Sequence, residues 1–153
     1  MTRKGSEVVK AEWIHTDYFD AWLRDFVKAG TVLNMCCGMS TIGDVRCDIN
    51  INTARTHPYG VTQIHNFFPE NSFDYVYCDP PFEMYTSGDN RFRWQQELYK
   101  IARKALITRR PKVNVNLPSL RHEWYVLEDE RPSLSLVRVD YKQSPFDNKM
   151  ERS

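Results

Sequence analysis

Residues Cys78-Asp79-Pro80-Pro81-Phe82 set a carboxylate, two ring-locked residues and an aromatic face in immediate succession. Proline fixes its own φ and pushes the residue before it into extended geometry, so Asp79-Pro80-Pro81 is stiff and neither proline offers an N–H. Their carbonyls remain acceptors. The segment can aim the Asp79 carboxylate and the Pro80 carbonyl at one point, an arrangement that suits the two donors of an NH2 group. Phe82 adds a flat face on which a base could stack. The competing reading is a rigid loop with an aromatic plug.

Two further stretches bear on the same chemistry. In Asn34-Met35-Cys36-Cys37-Gly38 the glycine lets backbone approach a ligand, or simply makes a tight turn. Asp48 falls near the end of the next apolar run, where acids accept hydrogen bonds from ribose hydroxyls or cap a loop. Asn50 could do either without charge.

These residues need elements to position them. In Glu12–Lys28 the spacing of Ile14, Tyr18, Trp22 and Phe26, with Phe19 and Leu23 beside them, predicts a helix, and Gly30 is expected as its C′ residue. Strands are predicted at Thr31–Met35, Val45–Ile51, Val61–Ile64 (the weakest) and Phe73–Cys78, the last after the turn signal Pro69-Glu70-Asn71-Ser72. A helix over roughly Arg91–Leu106 and a fifth strand at Lys112–Leu117 follow, then Trp124–Leu127 and Leu134–Tyr141 as a closing antiparallel pair around Arg131-Pro132. The pattern predicts one α/β domain: a helical segment over 1–30, a core over 31–143 and a tail over 144–153. Its sheet should be mostly parallel with a C-terminal antiparallel hairpin. Only Cys37–Asp44 separates the first two predicted strands, so the helix between them must be reduced. Ligands of such sheets bind outside the carboxyl ends of the strands, which is where Cys36–Gly43, Asp48–Asn50 and Asp79–Phe82 fall.

The 153 residues allow one domain with a real core, and 41% hydrophobic with 27% charged residues is an ordinary globular balance. A net charge of +1 excludes a polycation, so any nucleic-acid affinity must be local. Between Arg91 and Lys112 eight cationic residues stand against Glu97 alone, either a phosphate-docking surface or a solvated helix face. No run approaches a membrane span and no secretory signal is visible, so a cytoplasmic protein is expected. Cys36, Cys37, Cys47 and Cys78 form no CxxC pair and are read as reduced, packed thiols with no metal site.

Asp79-Pro80-Pro81-Phe82 resembles the D-P-P-[YFW] motif of the S-adenosylmethionine-dependent amino-methyltransferases of class I. Phe68–Tyr77 resembles the stretch that leads into it, and Val32–Gly38 resembles the family's glycine-containing first motif. The resemblance covers roughly residues 31–85. It implies a Rossmann-like methyltransferase fold, S-adenosyl-L-methionine as cofactor, and methyl transfer to an exocyclic amine of a nucleic-acid base. Adenine N6 in DNA is the first expectation, because the family's cytosine enzymes usually carry serine, and its amide enzymes asparagine, where Asp79 stands. A base in RNA or a protein amide are the alternatives. Within the D-P-P-F bend, Asp79 and the Pro80 carbonyl would hold the amine, Pro81 would stiffen the turn and Phe82 would stack the base. Asn34, Cys36 and Gly38 would face the methionine part of the cofactor, Asp48 its ribose, and Gln63 or His65 its adenine. Arg91, Arg93, Arg103 and Lys104 would meet phosphates, and the loop Tyr85–Asn90 could close over a flipped base. No segment is large enough for target recognition, which makes a homodimer or a partner subunit the expectation. Two rival readings stay open: a non-catalytic or degenerate cofactor-binding subunit, and a nucleotide-binding protein of another α/β class.

Overall fold

Short apolar runs broken by Asp, Asn, Gly and Pro assemble into one sheet. The computed structural model describes residues 8–61, 63–79, 90–111, 117–128 and 135–142. Among them the strands are β1 (Val8–His15), β2 (Val32–Met35), β3 (Val45–Cys47), β4 (Phe73–Cys78), β5 (Ala102–Pro111), β6 (Arg121–Glu128) and β7 (Ser135–Tyr141), in the order β1-β6-β7-β5-β4-β2-β3. β7 runs antiparallel to both its neighbours and every other pairing is parallel. The result is a seven-stranded, mostly parallel α/β sheet with an antiparallel C-terminal section, and its order is not that of a classical doubly wound sheet. No helix among the described residues is long and apolar enough to cross a membrane.

Among the described residues, two helices cover the sheet. α1 (Phe19–Val27) packs Phe19, Trp22, Leu23, Phe26 and Val27 with Tyr77, Ile107, Val137 and Val139. On the other face, α2 (Asn90–Ile101) packs Trp94, Leu98, Tyr99 and Ile101 with Leu33, Met35, Val76 and Leu106. β2 is buried at every position, the pattern of a strand covered on both faces.

Several boundaries differ from the sequence expectation. The predicted helix over Glu12–Lys28 is β1, a 3-10 turn at Thr16–Tyr18, and α1. Tyr18, counted in the apolar stripe, is 66% exposed, and Ile14 is buried from a strand that pairs with β6. Gly30 does not adopt a positive φ; its reason is close approach, since a Cβ there would lie 2.6 Å from that of Asp74. β3 stops at Cys47 because side chains capture the next backbone amides. Asp48 Oδ1 accepts from the Asn50 N–H (2.9 Å) and Asn50 Oδ1 from the Asn52 N–H (2.9 Å), turns that compete with a ladder. Val61–Ile64 is no strand. Val61 and Ile64 are both buried, but across a turn leading into a 3-10 helix at Ile64–Asn66, where spacing by three puts them on one side. The helix expected to reach Leu106 ends at Ile101, and Ala102–Pro111 is the fifth strand, enclosed by β4 and β7. Of the expected strand at Lys112–Leu117, residues 112–116 lie outside the described residues, as do 1–7 and 143–153.

Asp74 locks three elements at the amino end of the sheet. Its Oδ2 accepts from the Thr31 N–H (2.9 Å), and its Oδ1 takes Arg103 Nε (2.8 Å) and Nη2 (2.6 Å). Burial pushes this carboxyl up, but the Thr31 hydrogen bond and Arg103 outweigh it, so it titrates below the usual 3.8. A carboxyl with a depressed folded pKa contributes stability above its unfolded value and loses it as pH falls through the folded one. Wild-type protein should therefore lose stability below about pH 4, and Asp74→Asn should lose less over the same interval; urea midpoints at pH 3 and pH 6 give the comparison.

Candidate functional site

The chain leaves β2 to lay β3 on one side and later returns to lay β4 on the other. That reversal is a topological switch point, where open α/β sheets leave a crevice at the strands' carboxyl ends. Register fixes what emerges there. Met35 pairs with Cys47 and with Cys78, and Cys78 pairs with Thr108. One residue beyond that row stand Asp48, Cys36 and Asp79, just past β3, β2 and β4, and Arg109 on the adjacent β5.

The connection from β2 to β3 carries no helix, as its length required. It holds by clamps instead. The Val32 N–H donates to Asp44 Oδ2 (2.8 Å) and the Asp44 N–H to the Val32 carbonyl (2.9 Å), while Ile42 is buried in the cluster under α1. Cys36 adopts φ +57°, uncommon for a residue with a Cβ and a conformation concentrated at ligand sites. Gly38 adopts φ +55° with open space where a Cβ would stand. Its N–H donates to Asp48 Oδ2 (2.9 Å), so the predicted ribose acid also ties the loop to the end of β3. Asn34 is fully buried beneath this loop. Its Nδ2 donates to Ser40 Oγ (3.2 Å) and the Ile42 carbonyl (3.0 Å), while its Oδ1 has no hydrogen-bond partner.

Asp79 is 48% exposed, beyond the last ladder position of β4, and its Oδ2 lies 3.8 Å from Arg109 Nη1. Pro80, Pro81 and Phe82 lie outside the described residues, as do residues 85–89 of the expected closing loop. Gln63 and His65 are both exposed, at the 3-10 turn anchored by Ile64. A Cβ on Gly60 would sit 3.3 Å from Ile49 Cγ2, which places the approach to that turn against the residue following Asp48. Ile49 itself is 78% exposed, an apolar face beside the acid. It escaped the sequence reading because VRCDINI scans as an unbroken strand; the signal available was an apolar residue directly after a strand-end acid.

The basic residues do not share one helix face. Arg93 is exposed on α2, and of Arg91 only the backbone is described. Arg103 and Lys104 stand on β5, where successive side chains point to opposite faces. Arg103 is paired with Asp74, and Lys104 Nζ lies 6.0 Å from the Tyr75 ring centre.

The cysteines are free thiols. Burial raises Cys37 and pushes Cys47 up to about 12, the neighbouring Asp48 and Cys37 adding to each in turn, so both stay protonated. No group of three or more His, Cys, Asp or Glu among the described residues is placed to hold a metal.

No protein-family model, no curated protein and no solved structure matches the chain.

Proposed function

We propose that this chain is an S-adenosylmethionine-dependent methyltransferase acting on an exocyclic amino group of a nucleic-acid base, adenine N6 in DNA first. The observation that carries the reading is the row at the switch point: the glycine loop, the ribose acid and the acid of the D-P-P-F bend leave neighbouring strands at one level of the sheet. The residues fit the cofactor. Asn34 Oδ1 is an unused acceptor under the loop, Gly38 leaves room above it, and Asp48 stands half-buried with the apolar Ile49 beside it. An acid next to an exposed apolar side chain suits a ribose and its adenine.

When bound, the cofactor supplies a methyl group already activated on a sulfonium. The chain's part is alignment and electrostatics. An exocyclic amine is a poor nucleophile because its lone pair is delocalised into the ring. Asp79 and the Pro80 carbonyl, accepting its two hydrogens, draw the nitrogen towards tetrahedral geometry and localise the pair. The amine proton leaves after the methyl arrives, so Asp79 serves as an acceptor and need not be a strong base.

Calorimetry with S-adenosylmethionine, ATP and NAD tests the cofactor assignment, which equal affinities would overturn. Labelled cofactor with separate DNA, RNA and protein pools tests the target; label in protein alone rejects the nucleic-acid version. Asp48→Ala is expected to weaken S-adenosylmethionine binding about tenfold, the worth of one charge-assisted hydrogen bond of roughly 1.5 kcal/mol. The helix-free crossover after β2 favours the second reading, a cofactor-binding subunit that serves a catalytic partner, because no helix N-terminus stands there to meet the ligand. That reading requires a partner for any transfer.

A further inference from the structure

We infer that Arg109 is the positioning residue for Asp79: fixed by the ring of Phe19, it holds the carboxylate ionised at the mouth of the switch point. The inference rests on the amine-holding role proposed for Asp79.

Pairing of Thr108 with Cys78 brings Arg109 of β5 beside Asp79, just past the end of β4. Nη1 lies 3.8 Å from Asp79 Oδ2, longer than a hydrogen bond, so at that oxygen the positive charge acts through space. The guanidinium is itself constrained. Its Cζ lies 5.5 Å from the ring centre of Phe19, and that ring contacts Trp22 and Tyr77, each at 5.9 Å between centres. Arg109 follows Ile107 on the α1 side of β5, so the first turn of α1 sets where the charge stands. Its side chain is only 25% exposed, against 48% for Asp79. The cation is the more buried member of the pair and the anion the more exposed.

The chemistry needs this. A protonated Asp79 would turn one oxygen into a donor and face the amine with the wrong group. Arginine keeps its charge throughout the working pH range, so its presence favours the ionised acceptor. Among the described residues, the sheet order sets Cys36, just past β2, at the neighbouring strand end, and Asp48, just past β3, one strand further. Glu83 and Asp89 lie outside the described residues, and comparing variants removes their constant background.

The test is carboxyl carbon NMR titration of Asp79 in the full chain, with methyl-transfer kcat and KM measured from pH 5 to 8. In Arg109→Gln, Asp79 should titrate about one pH unit higher, and kcat should fall by about twofold at pH 5 and hardly at all at pH 8, with KM little changed. Arg109→Lys should restore the titration and most of the rate. Phe19→Leu, which keeps the packing and removes the ring, should give an intermediate shift. An unchanged Asp79 titration in Arg109→Gln overturns the inference, as does a rise in KM for DNA alone, which would make Arg109 a phosphate contact. Were wild-type protein to transfer no methyl group to any pool, the function proposed above would fall, while the titration would still decide whether Arg109 governs Asp79.

Discussion

Asp79→Ala is expected to lower methyl transfer by about 10²–10³-fold, the loss found when a preorganised polar group facing the reacting atoms is removed. The fold should survive. The side chain is largely exposed beyond the end of β4, and its partner Arg109 is an ion pair at 3.8 Å. Pairs this exposed contribute about 0–1 kcal/mol, so the urea midpoint should move little. S-adenosylmethionine affinity should also hold, because Asp79 is assigned to the amine and not to the cofactor. Asp79→Asn keeps one acceptor oxygen and should fall between the two. Labelled-methyl kinetics, calorimetry and urea titration on the same preparations separate these effects. Full transfer by Asp79→Ala would remove catalysis from this bend.

The largest effect on stability is expected far from that bend. Arg138 and Asp140 on β7 are an ion pair with side chains 5% and 0% exposed. Asp140 Oδ1 accepts from Arg138 Nε (3.0 Å) and Ser119 Oγ (3.2 Å), and the guanidinium stands 5.3 Å from the Trp124 ring centre. The second oxygen, Oδ2, has no hydrogen-bond partner. Two charges have been taken out of water for incomplete satisfaction, so the pair itself adds little. Removing one member is another matter. Asp140→Ala leaves a buried uncompensated guanidinium and should cost roughly 3–5 kcal/mol. Arg138→Met combined with Asp140→Leu should recover most of that loss, because both desolvation costs vanish together. Denaturant titration of the three proteins measures it, and a double variant as unstable as the single one would contradict the account.

Legibility of the fold followed the origin of each signal. β4 was readable to the residue because Phe73–Cys78 is a short aromatic and β-branched run bounded by a turn. The closing pair was readable from the Arg131-Pro132 break between two apolar runs, and β6 and β7 do pair antiparallel. β1 was not readable, because Ile14 continues the four-residue spacing of Tyr18, Trp22 and Phe26; the strand exists because β6 offers it an edge. β5 was hidden for a similar reason. Ile101-Ala102 and Ala105-Leu106-Ile107 fit a buried helix as well as a buried strand, and only enclosure between β4 and β7 decides between them. Within the candidate site, Cys36 and Gly38 follow β2 and Asp48 follows β3. Arg109 was read as one more cation of a basic run, since no local pattern shows which acid lies across a strand pair.

The sequence by itself determined the pieces whose physics is local. These are an acid and two prolines directly after an apolar strand, a glycine loop too short for a helix, an acid at the end of the second strand, and enough apolar residues for one core. Tertiary structure decided what those pieces face. Register between parallel strands, set by contacts distant in the chain, puts Asp48, Cys36, Asp79 and Arg109 in one row, and ties Arg103 to Asp74. Side-chain charge is written in the sequence, but its partner is chosen by the fold, because electrostatics acts over a few ångströms of space and takes no account of separation along the chain.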